Sequence, residues 1–280
     1  MLSLTLISLT CGSGEYSFPP YKSYVSISGA NMVRFEYPIT NNQILEDGFE
    51  IFYDNNTFYS NCQEDYGIIK ISSNPSSPYN DIYPYDAIYQ TSDGKIQIHF
   101  NSLYYKPYGV MSVRVSIRNL TESPISLNFK KYLKTYYNFV INSSFQICYS
   151  SNNYRIGLTE LYPIGGMNIN SNTCSLSYAL FLYANSQVIL DYGYIIGSSL
   201  DELLASKNAC ASCRAVVSNK ETNEKLYEVN GNTIIFKSDK VFKVYDVQGR
   251  LIYKGSKSVK LSRGVYFIHY LDRIYKEVIR

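Results

Sequence analysis

The chain has no tryptophan and only two histidines in 280 residues. His99 and His269 lie far apart in strand-like runs, so neither a Ser-His-Asp or Cys-His nucleophile nor a histidine-built metal site is expected. No stretch approaches the roughly 18 consecutive apolar residues of a membrane-spanning helix. Charged residues make up only 18%, and the basic aromatic cluster of a nucleic-acid reader is missing. Gly165-Gly166 and Gly12-x-Gly14 lack the helix and lysine that complete a phosphate-binding loop, and no EF-hand pattern occurs. No cofactor motif is present.

What is abundant is tyrosine: 30 residues, beside 13 phenylalanines, in a chain that is 45% hydrophobic. That is enough apolar matter for a sizeable core. Aromatic and β-branched side chains favour pleated, half-buried surfaces, so the composition points to strands. Tyrosine also offers an apolar ring with a polar tip, suited to stacking on sugars. Without tryptophan, a sugar platform would fall to clusters such as Tyr83, Tyr85, Tyr104 and Tyr105.

Periodicity agrees. Residues 95–100 (KIQIHF) alternate, and residues 111–118 put Val113, Val115 and Ile117 on one face against Ser112, Arg114, Ser116 and Arg118. Asp54-Asn55-Asn56 between two aromatic runs reads as a hairpin turn. Residues 73–84, with Pro75, Pro78 and Pro84, read as a long surface loop, and Gly165-Gly166 as a sharp turn. One short helix is expected, capped by Ser199 with Glu202 three residues on and Leu200, Leu203 and Leu204 as its apolar face. It follows a strand-like run over 188–196. The expected fold is all-β: a large antiparallel β-sandwich over residues 1–225 and a small immunoglobulin-like β-sandwich over 226–280, joined through the polar stretch 218–232.

Six cysteines, Cys11, Cys62, Cys148, Cys174, Cys210 and Cys213, are an even number, and all are candidate disulfide partners in an exported chain. The Cys210-x-x-Cys213 pair has neither the second pair of a zinc site nor βαβ surroundings, so a structural role is expected. Residues 1–9 (MLSLTLISL) read as the end of a signal peptide or as a first strand; a basic leader is lacking, and the residues before Cys11 make no lipobox. From Leu226 onward lie 11 of the 26 basic residues but only 5 of the 23 acidic ones. The tail is therefore basic and the body mildly acidic.

The tail carries an ordered set of motifs: VYDVQGRLIYKG over 244–255, LSRGVYFIHY over 261–270 and a closing YKEVIR over 275–280. Together they resemble the type A C-terminal sorting domain of type IX secretion, over roughly the last 55 residues. The residues that match are Val244, Tyr245, Asp246, Gly249, Arg250, Gly264, Tyr266, Lys276 and Arg280. The resemblance implies export to the cell surface or beyond, with the type IX translocon as a partner.

The body before the tail admits a pair of functional expectations. One is a non-enzymatic structural or adhesive surface protein, a subunit of an extracellular filament or other assembly that self-associates through strand edges. The alternative is a carbohydrate-binding module or the accessory domain of a carbohydrate-active protein. RVSIRNL over 114–120 and DYGYIIGSSLDELLA over 191–205 are loosely similar to large β-sandwich domains that accompany some glycoside hydrolases. Glu160, Asp191, Glu64 and Asp65 are acids a glycosidase would need in pairs, but nothing in the sequence brings two together.

Overall fold

The structure is a computed structural model that describes residues 14–38, 42–163, 165–223, 227–236, 242–246, 250–270 and 273–279. The leader reading of residues 1–9, Cys11, Gly249 and Arg280 fall outside the described residues. The chain divides into two compact units, Met1–Val216 and Val217–Arg280.

In the first unit the strands are β1 (Tyr16–Ser17), β2 (Tyr24–Ser28), β3 (Asn31–Glu36), β4 (Ile44–Tyr53), β5 (Asn56–Asn61), β6 (Asp65–Tyr66), β7 (Ile68–Pro75), β8 (Ile82–Thr91), β9 (Ile96–Tyr105), β10 (Val110–Asn119), β11 (Ile125–Thr135), β12 (Phe139–Asn142), β13 (Ile147–Ser150), β14 (Arg155–Tyr162), β15 (Gly166–Asn170), β16 (Thr173–Leu182) and β17 (Gln187–Gly197). An eight-stranded sheet runs β12-β13-β14-β17-β10-β9-β8-β7, and a six-stranded sheet runs β15-β16-β11-β4-β5-β6. β1, β2 and β3 form a small third sheet. The strands of both large sheets pair antiparallel, as the alternating sequence runs require. The fold class is all-β, a β-sandwich.

The inner faces of the sheets fill one core. Val113, Val115 and Ile117 of β10 are buried there, with Ile96, Ile98 and Phe100 of β9 and Phe49, Ile51 and Phe129 from the opposite sheet. Phe49 lies 4.7 Å from Phe100 and 6.2 Å from Phe129, ring centre to ring centre. Many tyrosines are core residues whose hydroxyls end at a seam between sheets. Tyr53 of β4 bonds Thr91 Oγ1 of β8 at 3.0 Å, and Tyr89 accepts the Ala30 N–H at 2.9 Å, in the turn between β2 and β3. Phenylalanine would fill the same volume but give up these inter-sheet bonds, leaving the buried Ala30 N–H without its acceptor.

At the centre sits a buried ionisable cluster. Asp47 of β4 and Lys131 of β11 are both fully buried, with Nζ 2.8 Å from Oδ2. Tyr194 of β17 lies 2.9 Å from both Asp47 oxygens and donates to them, and the Met32 N–H of β3 reaches Oδ2 at 2.6 Å. One carboxyl group therefore ties all three sheets together. A covalent tie runs parallel to it: Cys148 of β13 and Cys174 of β16, in opposite sheets, are disulfide-bonded with Cα atoms 6.5 Å apart. Cys62 is also disulfide-bonded.

The turn at Asp54-Asn55 takes the expected form. Both residues have positive φ, 49° and 60°, as a two-residue turn that continues the strand twist demands. Two expectations are corrected. The stretch 73–84 is largely strand at its ends: β7 runs to Pro75 and β8 begins at Ile82. Pro84 is tolerated because its missing N–H would point to the same side as its carbonyl, past the end of β7. There the Ser76 N–H meets the Pro84 oxygen at 3.0 Å, and no ladder bond to β9 is lost.

The helix is far longer than expected. α1 spans Leu200–Asn223. Ser199 caps it through its side chain and carbonyl, and Glu202 reaches back to the Ser198 N–H at 2.7 Å. Leu203, Ser206, Ala209, Cys210, Cys213 and Arg214 are buried on it. That mixed face, with a serine, two cysteines and an arginine, carries little apolar periodicity, which is why sequence patterning stops at Leu204. The helix lies on the outer face of the eight-stranded sheet. A Cβ at Gly193 would come within 2.8 Å of Cys210 Sγ, so the glycine admits the helix.

Cys210 and Cys213 are free, buried thiols, which corrects their candidacy as disulfide partners. Burial pushes both thiols up, Cys213 to about 12. Cys210 Sγ points at the Met111 and Tyr194 carbonyls, 3.7 and 3.6 Å away.

Among the described residues the second unit has the strands β18 (Tyr227–Asn230), β19 (Thr233–Phe236), β20 (Phe242–Asp246), β21 (Leu251–Gly255), β22 (Ser258–Lys260), β23 (Gly264–Tyr270) and β24 (Arg273–Ile279). They form a three-stranded sheet β18-β19-β22 and a four-stranded sheet β21-β20-β23-β24 around a separate core of Tyr227, Ile234, Phe236, Phe242, Val244, Tyr266, Ile268 and Ile279.

Replacing Lys131 by Met should destabilise the first unit by about 3–5 kcal/mol, because the buried Asp47 carboxyl group loses its Lys131 partner. The double change Lys131→Met, Asp47→Leu should cost much less than the two single changes summed. Urea unfolding followed by tyrosine fluorescence measures both.

Candidate functional site

A shallow open depression of about 430 Å³ lies on the outer face of the six-stranded sheet. Its size falls within the roughly 300–1,000 Å³ of small-molecule sites. Antiparallel register builds it: Asn128 of β11 sits between Phe52 of β4 and Ala179 of β16, and Ser126 lies opposite Phe181. Period-two alternation turns these residues outward while Leu127 and Phe129 enter the core. Phe52 and Phe181 stand exposed at 43% and 57%. Tyr183, edge-on to Phe181 at 5.2 Å, extends that rim, and the Asp54-Asn55 turn lines the depression as well.

The floor is small and uncharged, made of Ser126, Asn128 and Ala179. The charge in its lining is the Asp54 carboxylate at the turn, held by Lys95 at 2.7 Å, and one row further along the sheet Lys130 and Glu50 pair at 3.2 Å. At the far edge of the same sheet Tyr59 and Tyr66 stack at 5.2 Å, with the Tyr59 hydroxyl on Glu64 at 2.6 Å. Apolar rings beside amide and hydroxyl groups can hold a ligand that is apolar on its faces and hydroxylated around its edge.

The tyrosines expected to stack on sugar do not form this site. Tyr85 and Tyr104 are fully buried, with Tyr104 bonded to the Ser23 carbonyl at 3.3 Å; their candidacy as a platform is corrected. Tyr83 and Tyr105 are half-buried and pack against the core. Alternation along β8 and β9 directs Tyr85 and Tyr104 inward. The aromatics that flank the depression, Phe52 and Phe181, sit in runs with no cue to which side of the strand meets solvent.

The candidate acids are held in separate contacts. Glu160 is buried on the core side of β14, pushed up by burial, and accepts the Gly165 N–H at 3.1 Å. Asp191 lies on the other side of the sheet, held by Arg114 through two 2.9 Å bonds. His99 Nε2 lies 2.8 Å from an Asp86 oxygen, and the Asn101 amide donates to that same oxygen at 3.0 Å. Asn101 in turn receives Arg214 of α1, so this polar row anchors the helix. Among the described residues no group of three His, Cys, Asp or Glu side chains is placed to hold a metal ion. None of the described helices is long and apolar enough to cross a membrane.

In the second unit, Asp246 accepts the Arg250 N–H at 2.9 Å and its Nε at 2.6 Å, clipping the ends of the β20–β21 connection together. Val244 is buried, Tyr245 half-buried, and Tyr266 donates to the Ser262 carbonyl at 3.1 Å. Gly264 opens β23, and Lys276 lies within β24.

No protein-family model matches the chain, and no curated protein matches it. Among solved structures, a bacterial glucoamylase complexed with acarbose matches at 10% identity and a TM-score of 0.51, over 76% of this chain and 36% of that one. A polysaccharide lyase matches at 10% identity and a TM-score of 0.40, over 92% and 46%. A GH36 alpha-galactosidase from Geobacillus stearothermophilus matches at 5% identity and 0.41, over 65% and 40%. The chain spans less than half the length of these structures. The glucoamylase likeness defines a shared β-sandwich fold.

Asp86 supplies a pH test. Burial pushes its carboxyl up, but the His99 and Asn101 bonds outweigh burial and hold it below its ordinary value. A depressed native value means its stabilisation is complete above the unfolded value, about pH 4, and is lost as pH falls through the native one. The stability gap between the parent protein and Asp86→Asn should therefore shrink on acidification. For a partly exposed group the gap should be no more than about 1 kcal/mol; urea midpoints measured across pH check it.

Proposed function

We propose that the first unit is a non-catalytic, glycan-binding sandwich of an exported surface protein, and that the second unit is its C-terminal sorting domain. The observation that carries the glycan reading is the Phe52–Phe181 depression with its uncharged Ser126 and Asn128 floor. Aromatic rings stack on the C–H faces of pyranose rings, and the floor amide and hydroxyl pair with sugar hydroxyls. Glu160 and Asp191 face opposite sides of the eight-stranded sheet and Glu64 lies in the β5–β6 turn, which supports binding over hydrolysis, a reaction that needs two convergent carboxyls. The fold shared with a portion of a glucoamylase is consistent with an accessory role beside carbohydrate chemistry. Adhesion to glycan on a cell surface follows from combining binding with export.

Export is supported by the Cys148–Cys174 disulfide, which persists in oxidising compartments. The sorting reading is supported by the ordered tail motifs and by the Asp246–Arg250 clip that gives the D-x-x-G-R segment a structural purpose.

Affinity electrophoresis of the full chain through gels containing starch, xylan or galactomannan tests the binding. Retardation is expected on at least one polysaccharide, with Phe181→Ala or Phe52→Ala weakening it about tenfold, the equivalent of about 1.4 kcal/mol. Absence of retardation on a broad polysaccharide panel would overturn the glycan reading. In a host with type IX machinery, deleting residues 244–280 should trap the protein in the periplasm. Undiminished surface delivery of that deletion would remove the sorting reading.

A further inference from the structure

The buried Asp47–Lys131 pair has more than the makings of a salt bridge. Lys131 Nζ lies 2.8 Å from Asp47 Oδ2, and neither side chain has any solvent contact. They are diagonal neighbours on adjacent strands, since Lys131 stands opposite Phe49 and Leu133 opposite Asp47. An ammonium has three N–H groups to satisfy. Lys131 has one acceptor among the described residues, Asp47, with the Tyr194 ring 5.6 Å away as its other polar neighbour. Burial drives the amine down and the carboxyl up, each toward its neutral form. A neutral, desolvated lysine is a nucleophile, and here it touches a carboxyl group.

The carboxyl is also prepared for attack. Met32 N–H, 2.6 Å from Oδ2, and Tyr194 Oη, 2.9 Å from each oxygen, donate where negative charge would develop on a tetrahedral carbon. Because the Tyr194 hydroxyl touches both oxygens, it can pass a proton from one to the other and end unchanged.

We propose that Lys131 and Asp47 condense to an intramolecular isopeptide bond that cross-links β4 to β11. The Nζ lone pair attacks Asp47 Cγ of the protonated carboxyl, forming the C–N bond. One Nζ proton moves to the carboxyl oxygen that departs, the C–O bond breaks, and one water leaves. The amide keeps the other Nζ hydrogen, so no oxidant or cofactor is needed. The product replaces two buried ionisable groups with one amide, and the desolvation cost of the ion pair disappears. The bond would lock the central strands of the six-stranded sheet that carries the Phe52–Phe181 depression, but it does not depend on that site binding glycan.

Mass spectrometry of the folded full-length chain, with disulfides reduced and the protein then denatured, decides the matter. The expected mass is lower than that of the sequence by one water. Trypsin should yield residues 35–70 joined to 131–134, with no cleavage after Lys131. Asp47→Asn should lose ammonia in place of water, and Lys131→Arg should show its full mass. Full sequence mass for the parent chain, with Lys131 cleavable by trypsin, overturns the proposal whatever the variants do. Tyr194→Phe tests the relay: followed from synthesis by the loss of one water, bond formation should slow at least tenfold, and an unchanged rate would remove Tyr194 from the mechanism.

Discussion

The Asp47 carboxyl group is the point on which the first unit converges. Its ligands come from β3, β11 and β17, one from each of the three sheets. Polar groups in a dry interior are costly unless they meet at hydrogen-bonding distance, so the relative placement of the sheets is tightly specified there. Purely apolar packing would tolerate small slides of one sheet over the other. The aromatic layer of Phe49, Phe100 and Phe129 fills the space between the sheets, while the Asp47 cluster selects one register for it.

The same logic explains the tyrosine excess. Tyr53, Tyr89, Tyr104 and Tyr194 are each fully buried and each ends in a hydrogen bond to another sheet or to the small N-terminal sheet and its flanks. A sandwich with this many inter-sheet polar contacts needs long rings with polar tips, and tyrosine provides them without the width of tryptophan. Composition points to two uses of these rings, sheet packing and sugar stacking. Packing absorbs Tyr85 and Tyr104, while Phe52, Phe181 and Tyr183 face outward at the depression.

Much of this architecture is legible in the chain itself. The alternation in 111–118 becomes β10 with the expected face buried, and the Asp54-Asn55 pair becomes the β4–β5 turn. The tail motifs fall on strands of the four-stranded sheet. Patterning fails where structure is held by polar or small groups. The signal for α1 ends early because its buried face includes Ser206, Cys210, Cys213 and Arg214; Ser206, Cys210 and Arg214 point at sheet carbonyls, and Cys210 fits against Gly193. Pro75 ends the edge strand β7 and Pro84 lies in β8 just past that end; both look like loop markers because positions where proline costs no ladder bond cannot be located from composition.

By itself, the sequence determined the class of the protein: strands of period two, a turn that only left-handed residues can make, and a basic β-rich tail with its own motif order. These are local properties, fixed by backbone sterics and by side chains within a few residues of one another. Tertiary structure alone decided which acids meet which bases, which cysteines join, and which aromatics reach solvent. Those outcomes depend on pairing residues 26 to 147 positions apart, as in Cys148–Cys174 and Tyr194–Asp47. No local pattern encodes such a meeting, because it exists only once the sheets have closed over their shared core.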